Sequence, residues 1–205
     1  MFGEIFDSAS NQSALWAVVL GALLATMGGF AATQLERIVE HNRRERNAAL
    51  FFGELLTTLQ IILKFAKDAH GRGDPYGPIT MRMLQSARKE IDIYDLNRET
   101  LFDLRRADLR ARIQTFVIRI TMPLEGIFES AVEINALRAQ IKSPLNSESY
   151  TLEESKVRFA ELLEQREGGF VWIMENADKL TEIVRDLEPF AKHTFRDAEE
   201  VVRTS

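Results

Sequence analysis

Apolar side chains recur along the chain in two different rhythms. Residues 14–33 (ALWAVVLGALLATMGGFAAT) carry no charge and show no polar face. From Ala48 the rhythm changes: Ala48, Phe52, Leu55, Leu59, Ile62, Ala66 and Ala69 step alternately by four and three. The first pattern predicts a helix that is apolar all round. Twenty residues at 1.5 Å rise span ~30 Å, the thickness of a bilayer's hydrocarbon core. The second predicts an amphipathic helix with a coiled-coil-like a/d seam. No Pro or Gly lies between Phe30 and Asn47, so nothing stops the helix on leaving the apolar stretch. Residues 48–65 are rich enough in Leu, Ile and Phe to resemble a second span. Glu54, Gln60 and the Thr57–Thr58 pair assign them to a soluble core instead.

The sequence GRGDPYGP closes this helix, with Gly71 placed to cap it and Pro75 and Pro78 unable to continue it. A short helix is expected over about 79–91, then a turn at DIYDLN, with Asn97 or Asp95 capping the next helix. That long helix, over about 98–142, carries the seam Leu109, Ile113, Phe116, Ile120, Leu124, Ile127, Ala131, Ile134 and Ile141, with a kink at Pro123. After the loop KSPLNSESY, Thr151 and Glu154 read as a capping box for a last long helix. Its seam (Phe159, Leu163, Arg166, Phe170, Ile173, Ala177, Leu180, Val184, Leu187) keeps phase through Gly168–Gly169, so one helix is expected up to Pro189. A short amphipathic tail continues to Arg203.

The fold class predicted is therefore all-α: a single N-terminal transmembrane helix continuing into an antiparallel cytoplasmic helical bundle of three long and two short helices. The expected organisation is a short extracytoplasmic segment (1–13), the transmembrane helix (14–34), the bundle (35–188) and the tail (189–205).

Charge orients the span. No Lys or Arg precedes it, and Arg37, Arg43, Arg44 and Arg46 come closely after it. Basic residues near a span stay cytoplasmic, which places the C-terminal part in the cytoplasm beneath an inner or plasma membrane. The same four arginines are candidates for anionic lipid headgroups. A cleaved signal peptide would begin with a basic region, whereas this chain begins with Glu4 and Asp7. Within the span, Ala17, Gly21, Ala25 and Gly29 form a small-residue ridge suited to self-association of two copies.

Candidate chemistry changes the picture little. There is no cysteine, hence no disulfide, thiolate metal site or thiol nucleophile. The residues three positions before His41, His70 and His193 are Ile38, Lys67 and Phe190, so the Glu-x-x-His pairs of di-iron bundles are missing. The glycines at 71, 73 and 77 do not fit a dinucleotide or phosphate loop, and Arg72-Gly73-Asp74 is read as part of a turn. No catalytic residue, metal site or cofactor is assigned. A net charge of -5 argues against nucleic-acid binding.

Two charge patterns remain. Arg98, Arg105, Arg112 and Arg119 are seven apart and, on one helix, make a stripe beside the seam: a docking strip for an acidic partner or lipid headgroups, or flank pairs such as Asp108 with Arg112. Glu154, Glu161, Glu175 and Glu182 are expected on the solvated face of the last helix, away from that stripe. The resulting expectation is a non-enzymatic, membrane-anchored interaction or scaffold protein, a subunit of a membrane-associated complex with a protein partner. The alternative is a membrane-bound sensor whose bundle holds a ligand cavity.

Overall fold

A computed structural model describes the backbone of residues 3–142 and 149–195, and the side chains from Trp16 onward except at 17–18, 140, 142 and 149–152. Within these residues the chain is all-helical, with no strand. The elements are α1 (Gly3–Gly71), α2 (Pro78–Leu96), a 3-10 helix (Arg98–Asp103), α3 (Ala107–Lys142), α4 (Ser149–Ala177) and α5 (Leu180–Ala191). The chain divides into two compact units, Met1–Arg44 and Glu45–Ser205, with the boundary inside α1.

The first unit is helix with nothing buried between residues 19 and 44. Leu24, Met27 and Phe30 are each more than two-thirds exposed. One helix near the N-terminus, α1, is long and apolar enough to cross a membrane. Within Val19–Gly71 the most apolar 18-residue window is 44% buried. Nothing is buried between 19 and 44, so this window reaches into the core-forming half.

The second unit is built on the predicted seams. Ala48, Phe52, Leu59 and Ala66 of α1 are fully buried, as are Leu109, Ile113, Ile120, Leu124 and Ile127 of α3. They share one core with Leu84, Ala87 and Ile91 of α2 and Leu180, Val184 and Leu187 of α5. The buried face of α1 is wider than an a/d stripe, because Leu56 and Leu63 are also fully buried. Arg158 of α4 binds Glu133 of α3, and Gly169 faces Pro123, so α3 and α4 run antiparallel. Gln60 meets Thr181 and His70 stacks on Phe170, so α1 opposes α5 and α4 in the same way.

Several local expectations are overturned. DIYDL is not a turn: α2 continues to Leu96, and Tyr94 is buried as its last core residue. Asn97 stands at the N-cap position of the 3-10 helix that follows but makes no side-chain cap there; its Nδ2 donates to the Ile93 carbonyl at the end of α2. The helix expected from residue 98 is split into the 3-10 turn and α3, which starts only at Ala107. Between them the Arg105 N–H donates to Glu45 Oε1 at 3.1 Å. A buried carboxylate on another helix thus receives a backbone donor that a continuous helix would have kept for itself. As expected, helix α3 continues through Pro123.

The last helix breaks ten residues later than its glycines suggest. It passes Gly168–Gly169 and ends at Ala177, and α5 begins at Leu180. Pro189 lies inside α5, which ends at Ala191 with Lys192 in the left-handed region at φ 51°. α4 starts at Ser149, two residues before Thr151, so Thr151 is not its N-cap. The first residues of the expected tail (189–205) therefore belong to α5, and residues 196–205 lie outside the described residues.

The turn after α1 is defined by Asp74. Its Oδ2 accepts from the N–H groups of Ile79 and Thr80 at 2.9 and 3.0 Å, and the Thr80 hydroxyl donates to its carbonyl at 2.7 Å. The carboxylate thus satisfies orphan donors of α2 and faces the positive end of its dipole. Gly77 is required by this arrangement, since a Cβ there would lie 1.5 Å from Asp74 Oδ1. Asp74→Ala should cost ~1–2 kcal/mol, read as a Tm drop of a few degrees. An unchanged Tm would show that the cap contributes nothing.

Candidate functional site

The four heptad-spaced arginines do not form one stripe, because the 3-10 turn intervenes. Arg98 stands on the 3-10 helix. Arg105 lies in the link, with its guanidinium 3.4 Å from Glu45 Oε2. Only Arg112 and Arg119 share α3. Arg112 pairs with Asp186 and, at 3.4 Å, with Glu182. Asp108, its expected partner, pairs with Arg106 instead. The expectation that Glu182 stays away from the arginines is also overturned. Glu182 and Asp186 of α5 both come within reach of Arg112 on α3.

Arg112 and Arg119 line a cleft of about 260 Å³ where α3 meets the α4–α5 junction. Its floor is Asn176, only 2% exposed. The Asn176 amide donates to the Trp172 carbonyl at 2.8 Å, and its oxygen accepts from Lys179 Nζ at 3.1 Å. Lys179 is also the N-cap of α5, which has no side-chain cap. Among the described residues Arg119 has no acidic partner. The cleft therefore combines a free guanidinium, a positioned ammonium and the positive end of a helix, beside the Glu182 carboxylate that Arg112 already holds. That set of donors suits a carboxylate.

The remaining sequence candidates are not part of this cleft. In the first unit Arg37 is exposed, and Arg43 and Arg44 share Glu40 at 3.5 and 3.0 Å. Arg46 donates to the Ala191 carbonyl at 3.3 Å, satisfying one of the unpaired acceptors at the end of α5. Gly21, Ala25 and Gly29 are exposed, and a Cβ added at either glycine would meet nothing within 4 Å. The side chain of Ala17 is outside the described ones. Among the described residues no group of three or more His, Asp or Glu is arranged to hold a metal ion.

One cluster was not legible in the sequence. Tyr76, at φ 58°, lies in the loop after α1, and its hydroxyl donates to Glu167 Oε2 (2.8 Å) and the Arg166 carbonyl (3.1 Å). The Arg166 guanidinium sits 3.8 Å from the centre of the Tyr76 ring. His70 stacks on Phe170 at 4.2 Å and brings Nε2 within 3.4 Å of Glu167 without hydrogen bonding to it. Burial, then Glu167, holds the Tyr76 hydroxyl well above its ordinary pKa, and burial lowers that of Arg166. The one available signal was Arg166, a charge standing at a seam position.

No protein-family model matches the sequence, and neither curated proteins nor solved structures show a significant match.

Proposed function

We propose that the protein is a single-pass, membrane-anchored interaction protein whose second unit is an antiparallel helical bundle held in the cytoplasm. The observation that carries this reading is the change of character within α1. From Val19 to Thr33 an uncharged apolar stretch is exposed on all sides, whereas the apolar stretch beyond residue 45 packs one face into a core. A bilayer is the solvent that accommodates the first without cost. The cluster Arg37, Arg43, Arg44 and Arg46 supports the cytoplasmic placement. The cleft at Arg119 and Lys179 supports a protein partner presenting an acidic side chain.

A reporter active only outside the cytoplasm, fused after Ser205, should be silent, while a cytoplasm-active reporter at the same point should give full signal. The reverse pattern would overturn the orientation. Release of the full chain from membranes by alkaline carbonate would overturn the anchor.

A further inference from the structure

The shared core of the second unit ends at Ile127 in α3 and begins at Phe170 in α4. Beyond that level the two helices continue as a pair, α3 to Lys142 and α4 from Ser149. Among the side chains of 128–139 and 153–167, only Ser130, Ile134 and Leu162 are buried. Arg158 binds Glu133 at 2.9 and 3.2 Å, and Arg138 lies 5.9 Å from the centre of the Phe159 ring. These contacts join one helix of the pair to the other, so the hairpin beyond the core holds together as an arm.

Both helices are weakest where the arm leaves the core. In α3, Pro123 has no N–H to give the Arg119 carbonyl. One turn on, the buried Ser130 hydroxyl donates to the Gly126 carbonyl at 2.6 Å, a back-bond that competes with the helix ladder. In α4 the same level holds Gly168–Gly169, with Gly169 opposite Pro123 and Ile127. Sharp helix bends fall at prolines and at Gly/Ser pairs. An interior glycine weakens a helix relative to alanine, and close packing is the usual reason to keep one. Gly53 has that reason, since a Cβ there would lie 2.0 Å from the Phe195 ring. Gly126 and Gly168 do not: a Cβ at either would meet nothing within 4 Å, and one on Gly169 would make only ordinary contacts at 3.5 Å. Space does not require these three glycines, which leaves backbone freedom as their use.

Tyr76 bridges to this level from the loop after α1. Its hydroxyl donates to the Arg166 carbonyl and the Glu167 carboxylate, on the arm side of the glycine pair. We infer that the distal α3–α4 hairpin is an arm that pivots on Pro123–Gly126 and Gly168–Gly169, with Tyr76 as the catch that holds it to the loop. A bend of about 20° would carry the end of α3 roughly 8 Å. The inference does not rest on membrane anchoring.

The chain has no cysteine, so spin labels can be attached to introduced ones. Electron–electron distance measurements on the full-length chain in detergent compare an arm pair, Gln85→Cys with Ala136→Cys, and a bundle pair, Gln85→Cys with Arg185→Cys, all at exposed positions. The arm pair should give a distance distribution at least about twofold wider than the bundle pair. Gly126→Ala, Gly168→Ala and Gly169→Ala together should narrow it to the bundle width, while the Tm stays level or rises because alanine restores helix propensity. Tyr76→Phe keeps the ring, removes the two hydrogen bonds and should widen the distribution further. A wild-type arm pair no wider than the bundle pair would overturn the pivot, as would a width unchanged by the three alanines. An unchanged width in Tyr76→Phe would overturn the catch.

Discussion

Leu59→Asp should abolish cooperative folding of the Glu45–Ser205 unit. Leu59 is fully buried, as are Phe52, Leu56 and Leu63 on the same helix. The substitution removes a packed side chain, worth ~2–5 kcal/mol, and leaves an uncompensated charge costing a further ~3–5 kcal/mol. Total stability of such a unit is only ~5–15 kcal/mol. The control is Leu96→Asp, at a site 85% exposed, which should change stability by less than about 0.5 kcal/mol. Thermal melts followed by circular dichroism distinguish the two. A Leu59→Asp protein melting within a few degrees of wild type would mean that the α1 seam is not core.

Tyr76→Ala should have the next largest effect. The ring lies 5.1 Å from His70 and 5.9 Å from Phe170, and it carries the Arg166 guanidinium on its face. Its removal should cost ~2–3 kcal/mol, from lost aromatic burial and the lost cation–π contact. Alanine at φ 58° keeps the backbone strain, so Tyr76→Gly should recover part of the loss. Tyr76→Phe should cost ~1 kcal/mol and, more tellingly, change the pH profile.

The Tyr76 hydroxyl is raised above its ordinary value by burial and by Glu167. A folded pKa above the unfolded one means that the stabilisation is complete below the unfolded value of ~10 and is lost as pH climbs beyond it. Wild type should therefore lose stability faster than Tyr76→Phe between about pH 10 and 11. Urea midpoints at those pH values decide it. Parallel profiles would show the hydroxyl to be solvated.

Heptad spacing, exposure and charge flanks were written plainly in the chain. Phe52, Leu59, Ile113, Ile120 and Phe170 were legible as core because a helix repeats every 3.6 residues, so any row stepping by four and three faces one side whatever it packs against. The uncharged run at 14–33 was legible for the same kind of reason: composition fixes which solvent a helix prefers. The end of α1 was legible because Gly71, Pro75 and Pro78 act through local backbone geometry.

What the sequence left undecided depended on atoms far along the chain. The split near Leu104 is held by Glu45, 60 residues away, whose carboxylate takes the Arg105 N–H. The break at 178–179 carries no glycine or proline. The seam residues Leu180, Val184 and Leu187 beyond it are buried all the same, but the pairing of Arg112 with Asp186 and Glu182 depends on how α3 and α5 pack. Asn97 and Asp95 were reasonable caps by residue type, but Asn97 answers the Ile93 carbonyl behind it and Asp95 stays unpaired beside a cavity. Local rules rank such alternatives within about 1 kcal/mol of one another. A long-range hydrogen bond to a charged group, worth ~1.5–3 kcal/mol, is enough to choose between them. The sequence by itself determined which faces are buried and where the apolar helix lies. Only the tertiary structure decided where the helices break, and so which charges meet.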